Sequence, residues 1–400
     1  MRTRCRCLLL LLLLAGCENG RWNPLDPQYD ASGDPENDWK GSYGLKMLDT
    51  SGSVGVPLSM ALSGTNLYIS YHDGTNYDLR LARSADLGLT WQLSVIDSAG
   101  TVGNPNCVVA SQSNVYIAYL DKSAAELLKF ARSTDTGASW EVAVAADPAD
   151  GFAGLYNSMA LAGAGNVIYI AHAGRVGADG GVLFSKSTDS GESWAAPVVV
   201  DNTADIDVRG TSVAASGTNV YIAYTYVVDE SDWACKLKVA SSTDEGATWS
   251  SGPVESGGVI GETVSLIAGS GGTLHLSFSM KRSQGLKLAS STDAGATWTV
   301  STVDSTAYFE WDSSLAVDYA GTLYLSYFDS DNEALKFARL PQGETEWFTT
   351  VVDRAGKKGS CGFRNAVATD GNSVYIACAE GAYLDEDLKF AKSLDRGDSW

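Results

Sequence analysis

Four hundred residues carrying 42 glycines, 9 prolines and 11 tryptophans, with few uninterrupted runs of Leu, Glu or Lys, favour strands joined by tight turns over helices. The formal charge of −20 repels a phosphate backbone, which argues against nucleic acid as a partner, and it keeps a large exported surface soluble as a monomer.

The chain opens on Arg2, Arg4 and Arg6, followed by the leucine run Leu8 to Leu14 and then Ala15-Gly16-Cys17. A basic segment, a short apolar core and a small-residue cleavage site make a secretory signal. So short an apolar run cannot cross a bilayer, which takes about 20 residues. Leu14-Ala15-Gly16-Cys17 resembles a bacterial lipobox. That resemblance implies cleavage before Cys17, a lipid on Cys17 as membrane anchor and, with Glu18 where an aspartate marks inner-membrane retention, an outer-membrane or cell-surface destination. The following stretch, with Asn23-Pro24, Asp26-Pro27 and Asp34-Pro35, reads as a polar tether. The expected organisation is therefore a signal peptide over 1–16, a tether over 17–38 and one body over 39–400.

That body is periodic. Tryptophan recurs at 39, 91, 140, 194, 249, 298, 347 and 400, and six of these residues close the phrase S-x-D-x-G-x-[ST]-W, which runs Ser84–Trp91, Ser133–Trp140, Ser187–Trp194, Ser242–Trp249, Ser291–Trp298 and Ser393–Trp400. Worn copies stand at Ser32, Asp34 and Trp39 and at Leu340–Trp347. A period near 50 residues marks one supersecondary unit copied many times. Each unit reads as four strands: in the first, 57–63, 67–71, 78–83 and, after the phrase, 92–96. Segments such as Val115-Tyr116-Ile117-Ala118-Tyr119 are apolar or aromatic throughout and require cover on both faces. Stacked four-stranded sheets with two buried faces predict an all-β, seven-bladed β-propeller. The last unit stops at Trp400, before its outer strand, while residues 40–48 are an outer strand without inner partners. The amino-terminal strand is expected to complete the last blade and to remove its free edge.

Within the phrase, Asp accepts N–H groups of its own turn, Gly takes a positive φ and Trp buries its ring between sheets. The phrase is that of the Asp-box (BNR-repeat) sialidase-like propellers, which the chain resembles over 39–400. The resemblance implies that Asp86, Asp135, Asp189, Asp244, Asp293 and Asp395, with Trp91, Trp140, Trp194, Trp249, Trp298 and Trp400, are structural and lie opposite the active face.

Strand alternation puts the loops before the first strand, and between the second and third, on that opposite rim. Ligand-binding candidates there are Trp233, Trp311, Tyr156, Asn157, Arg175, Glu262 and Phe363. Trp233 and Trp311 offer indoles outside the repeat register, and the longest repeat spacings, 54 and 55 residues, place extra loop length at 172–182 and 225–236. For a sialidase-like hydrolase the resemblance implies an arginine clamp on a substrate carboxylate, a tyrosine nucleophile activated by a glutamate, and an aspartate acid. Arg209, Arg364 and Arg282 are the clamp candidates, with Tyr308, Glu310 and Asp73 in the other roles. The family's F-R-I-P phrase is absent from the first unit, which reads Gly55-Val56-Pro57-Leu58; Phe363-Arg364-Asn365-Ala366 is its nearest echo.

No zinc-ligand spacing, nucleophile elbow or phosphate loop is present, so neither a metal nor a cofactor is expected. Cys361 and Cys378 fall in one unit of an exported chain and are a candidate disulfide, whereas Cys107 and Cys235 read as small buried apolar residues. The expected function is non-catalytic binding of a glycan or an envelope protein through the rim. A sialidase-like glycoside hydrolase is the first alternative and an envelope assembly scaffold the second.

Overall fold

The computed structural model describes residues 44–123, 126–147, 152–176, 179–201, 207–229, 234–254, 258–281, 285–306, 313–354, 361–382 and 385–400. Strand β1 (Gly44–Asp49) precedes a first unit of β2 (Val54–Ser63), β3 (Asn66–Asp73), β4 (Asp78–Ser84) and β5 (Gln92–Asp97). The second unit is β6 (Val102–Ser111), β7 (Asn114–Asp121), β8 (Leu127–Ser133) and β9 (Glu141–Ala146); the third is β10 (Phe152–Ala162), β11 (Val167–Val176), β12 (Asp179–Ser187) and β13 (Val198–Asp201). The fourth comprises β14 (Val208–Ser216), β15 (Asn219–Asp229), β16 (Ala234–Ser242) and β17 (Ser250–Pro253), and the fifth β18 (Ile260–Ala268), β19 (Leu274–Met280), β20 (Leu286–Ser291) and β21 (Thr299–Asp304). The sixth contains β22 (Ser313–Val317), β23 (Leu323–Asp329), β24 (Ala334–Leu340) and β25 (Phe348–Arg354), and the last β26 (Cys361–Thr369), β27 (Val374–Ala382) and β28 (Asp385–Ser393).

The result is all-β, with four-stranded antiparallel sheets paired in chain order. The fourth and fifth units share one sheet only through the pair Cys235 with Ile260. In the last sheet β1 pairs antiparallel with β28, Gly44 opposite Lys392 and Met47 opposite Lys389, which is the position expected for residues 40–48 so far as they are described.

Second strands are the most buried. Val115 to Leu120 of β7 are all at 0% exposure, as their unbroken apolar run requires, and each large side chain removed from water in this way contributes about 1.5–3 kcal/mol. The buried side chains fall into clusters between successive units. Tyr68, Leu79 and Leu81 of the first unit pack with Val108, Val115 and Ile117 of the second. Tyr375, Leu388 and Phe390 of the last unit pack with Val54, Leu67 and Tyr71 of the first. First strands touch in succession from β2 through β6, β10, β14, β18 and β22 to β26, and β26 touches β2.

The first strands begin earlier than the sequence suggests. Val54 to Val56 and Val102 to Val108 belong to strands rather than to loops, because a bulge carries the chain past a tight approach to the preceding unit. Gly103 (φ 89°), Gly154 (φ 97°) and Gly362 (φ 96°) sit in this bulge. A Cβ there would come within 3.1–3.2 Å of the Cα of Leu79, Leu128 or Leu335, so both the backbone angle and the contact require glycine.

Candidate functional site

Two ends of the molecule differ in what their loops do. At the tryptophan phrases the serine, the aspartate and the hydroxyl residue before tryptophan bond to one another within their own loop. In the fourth unit Ser242 Oγ donates to Asp244 Oδ1 (2.7 Å), Gly246 N donates to Ser242 Oγ (2.8 Å), and Thr248 supplies its N–H to Oδ1 (2.8 Å) and its hydroxyl to Oδ2 (2.6 Å). The same set recurs around Asp86, Asp135, Asp189, Asp293 and Asp395. The hydroxyl and N–H of Ser193, then the hydroxyl of Ser187, hold the Asp189 carboxyl down to about 2. The tryptophans meet the neighbouring unit edge-on: Trp91 on Phe390, Trp194 on Phe130, Trp249 on Phe184 and Trp400 on Phe337, with centroids 4.9–5.2 Å apart. One feature escaped the sequence reading. The residue before the phrase glycine, Leu87, Thr136, Ser190, Glu245, Ala294 or Arg396, is also left-handed, at φ between 57° and 61°.

At the opposite end the bulged starts of the first strands place the rim candidates in register. Serines of these strands stitch one unit to the next: Val213 N donates to Ser158 Oγ (3.1 Å), Leu266 N to Ser212 Oγ (2.9 Å) and Val367 N to Ser314 Oγ (3.1 Å). Counting back from these bonds, Leu155, Arg209, Glu262 and Phe363 hold one bulge position, and Tyr156 and Arg364 the next. Glu262, Phe363 and Arg364 are half-buried strand residues rather than loop residues. Asn157 is buried; its Nδ2 donates to Gly154 O (2.9 Å) and its Oδ1 is buried without a partner. The matching Asn106 accepts Ser70 Oγ at 2.6 Å, but Ala118 stands in that place opposite Asn157.

Three rim candidates come together between the third and fourth units. A cleft of about 330 Å³ is lined by Tyr156 and Leu155 of β10, Arg175 of β11 and Arg209 of β14, with Asp207 beside it. Gly174, Gly180 and Gly181 also line it, Gly174 opposite Gly181 and Gly180 opposite Arg175 across β11 and β12. Tyr156 reaches it from a left-handed backbone (φ 48°). Arg209 pairs with Asp207, and Arg175 is exposed. The cleft therefore presents two guanidinium groups beside a phenol on an otherwise acidic protein, a geometry suited to an anionic oxygen ligand.

The remaining candidates among the described residues do not line it. Asp73 is 2% exposed and braces its own turn, accepting from Thr75 N (3.0 Å), Asn76 N (3.0 Å) and Asn76 Nδ2 (2.9 Å), with Arg80 at 3.5 Å. Arg282, Tyr308, Glu310, Trp233, Trp311 and Cys17 lie outside the described residues, as does the side chain of Cys361. In the register, Cys361 faces Glu380 and Cys378 faces Asn365. No group of three or more metal-ligating side chains occurs among the described residues.

Below the rim lies a set of clasps that sequence reasoning missed. An aspartate ending the outer strand of one unit accepts a tyrosine hydroxyl and a lysine or arginine from the next. Asp97 takes Tyr119 (2.7 Å) and Lys129 (3.0 Å), Asp304 takes Tyr327 (2.9 Å) and Lys336 (2.5 Å), and Asp49 takes Tyr71 (2.7 Å) and Arg80 (2.8 Å). Asp201 receives Tyr224 and Lys238, and Asp353 receives Lys389. The available signal was an aspartate 22 or 23 residues before a tyrosine. The third unit departs from this pattern, with His172 and Leu183 at the tyrosine and lysine places. Burial pushes the His172 imidazole down to about 4, and its Nε2 meets Ser185 Oγ at 3.0 Å.

No protein-family model matches the sequence, and no curated protein matches it. Solved structures do share the architecture. An ulvan lyase of polysaccharide lyase family PL25 aligns with a TM-score of 0.59 at 15% identity, over 84% of this chain and 93% of its own. A Hadza microbial sialidase aligns at 0.56 and 14% identity, over 83% and 74% of the two chains. The sialidase of Trypanosoma rangeli aligns at 0.53 and 13%, over 87% of this chain and 59% of the enzyme. The chain thus has a β-propeller-like, sialidase-like fold. At these identities the likeness concerns architecture alone.

Proposed function

We propose that residues 39–400 form a seven-bladed Asp-box propeller, held at a bacterial outer membrane or cell surface by a lipid on Cys17. We propose further that it binds an acidic glycan in the rim cleft between the third and fourth units without cleaving it. The blade count is supported by the cyclic succession of first-strand contacts and by β1 beside β28. The binding reading rests on one observation, the convergence of Arg175, Arg209 and Tyr156 around one cleft. Guanidinium pairs suit a uronate, sialate or sulfate group, and a phenol beside them offers a sugar ring a flat face. The named ligands of the similar structures, sialic acid and a sulfated glucuronate-rhamnose unit, carry such groups.

Asp73 favours binding over hydrolysis. A leaving-group acid must reach the substrate, and this carboxylate is committed to its own turn. The sialidase-like fold keeps the hydrolase reading as the alternative, with Arg209, Arg282, Arg364, Tyr308 and Glu310 in its roles. The test is retention of the full chain on sialylated, uronate and sulfated oligosaccharides, alongside a fluorogenic sialoside assay. Binding without product release is expected, and Arg209→Ala should weaken it at least about tenfold, the equivalent of one charge-assisted hydrogen bond. Release of the fluorophore that disappears in Arg364→Ala would establish the hydrolase instead. Blank glycan binding with a stable protein partner recovered from envelope extracts would establish the scaffold.

A further inference from the structure

The worn phrase of the sixth unit opens a second cleft, on the end of the molecule opposite the rim. Each intact phrase is braced by a backbone bond to the turn between the first and second strands of its own unit. Leu87 N donates to Thr65 O (3.1 Å), Glu245 N to Thr218 O (3.0 Å) and Arg396 N to Asn372 O (3.1 Å), and the other three intact phrases do the same. In the sixth unit Leu340 and Gln342 stand at the serine and aspartate places, and this brace has no counterpart among the described hydrogen bonds. The turn closes on itself, as the matching Asp370 turn of the last unit also does. Asp318 Oδ1 accepts Ala320 N and Thr322 N at 2.9 Å, its Oδ2 accepts the Tyr324 hydroxyl at 2.9 Å, and Gly321 N donates to Asp318 O at 3.0 Å. The residue at the tip of this ordered turn, Tyr319, is fully exposed, at 105%.

The two loops frame a cleft of about 550 Å³, larger than the one at the rim. Leu323 and Leu340 give it an apolar wall, while His275, Gln342 and Glu344 bring hydrogen-bonding groups to its edge. Tyr319 forms part of this cleft and also of a smaller one, about 290 Å³, that reaches Asp370. No lysine or arginine lines either. Asp318, Glu344 and Asp370 in such a lining disfavour an anionic ligand, so this surface selects against the sugars that suit the rim. An exposed phenol ring beside an apolar wall, with amide and carboxylate groups around it, matches a pyranose, whose C–H face stacks on the ring while its hydroxyls donate outward.

We propose that the Tyr319 cleft is a binding site for neutral saccharide units, separate from the rim and independent of its reading. The experiment titrates the full chain with cellohexaose, xylohexaose, laminarihexaose and mannohexaose. At least one is expected to bind, and Tyr319→Ala is expected to weaken it about tenfold while retention on acidic oligosaccharides is unchanged. A second variant rebuilds the phrase, with Leu340→Ser, Gln342→Asp, Glu344→Gly and Glu346→Thr together. It should close the cleft and lose the same binding while keeping the wild-type circular dichroism. The proposal is overturned if no neutral probe binds, if Tyr319→Ala binds as wild type does, or if the rebuilt phrase leaves binding intact.

Discussion

Lys129 lies 3.0 Å from Asp97 and 2.9 Å from Asp121, with all three side chains largely shielded from water, so two carboxylates share its one positive charge at a junction between units. Removing a partner from such a group leaves an uncompensated charge. Lys129→Met should therefore destabilise by about 3–5 kcal/mol, whereas Tyr119→Phe, which deletes one hydrogen bond to Asp97, should cost about 1 kcal/mol. Urea unfolding of the two variants distinguishes these values, and equal costs would contradict the clasp. His172 carries a pH dependence of its own. Its folded value, about 4, lies below the ordinary 6.5, so its contribution is complete above pH 6.5 and is lost as pH falls from there towards 4. The full effect is about 3 kcal/mol, and it should vanish in His172→Phe when unfolding midpoints at pH 7 and pH 4.5 are compared. Neither group was legible in the sequence, because a clasp joins residues of two different units and His172 is informative only against the tyrosines at matching positions.

At the scale of the element, the phrase was almost fully legible. Serine, aspartate and the hydroxyl residue before tryptophan encode a hydrogen-bonded turn within eight residues, so no distant partner had to be inferred. Its exposed carboxyls give a second pH signature. Asp189 and Asp293 are held to about 2, chiefly by the hydroxyls of Ser193 and Thr297. Depressed values of this kind stabilise above the ordinary carboxylate range near pH 4, and the stabilisation is lost as pH falls through about 2. Tryptophan fluorescence should report an acid transition in that window, and Asp189→Asn combined with Asp293→Asn should blunt it. First strands were less legible. Gly55, Gly103, Gly154 and Gly362 sit inside strands, where a bulge and a close backbone approach require them. The described rim candidates of these strands consequently emerged as strand residues in register, and among the described candidates Tyr156, Arg175 and Arg209 share a cleft.

For the whole molecule, the periodic tryptophans and the missing last strand together foretold that the beginning of the chain would lie beside its end, as β1 does beside β28. Removing residues 1–49 takes away both that strand and Asp49, leaving the edge of β28 unpaired, Tyr71 without its acceptor and Arg80 with only Ser51 and Asp73. The shortened chain should melt at lower temperature and associate in a concentration-dependent way, which calorimetry and size-exclusion chromatography would register. Unchanged melting and a monomeric profile would show that β1 contributes nothing.

The location of the binding face is tested most directly by hydrogen–deuterium exchange of the full chain with and without a saturating acidic oligosaccharide. Slower exchange is expected in 152–156, 173–181 and 207–209, where Tyr156, Arg175 and Arg209 converge, with the tryptophan phrases unaffected. Protection confined to the phrases, or spread across units without a maximum at these three segments, would contradict it.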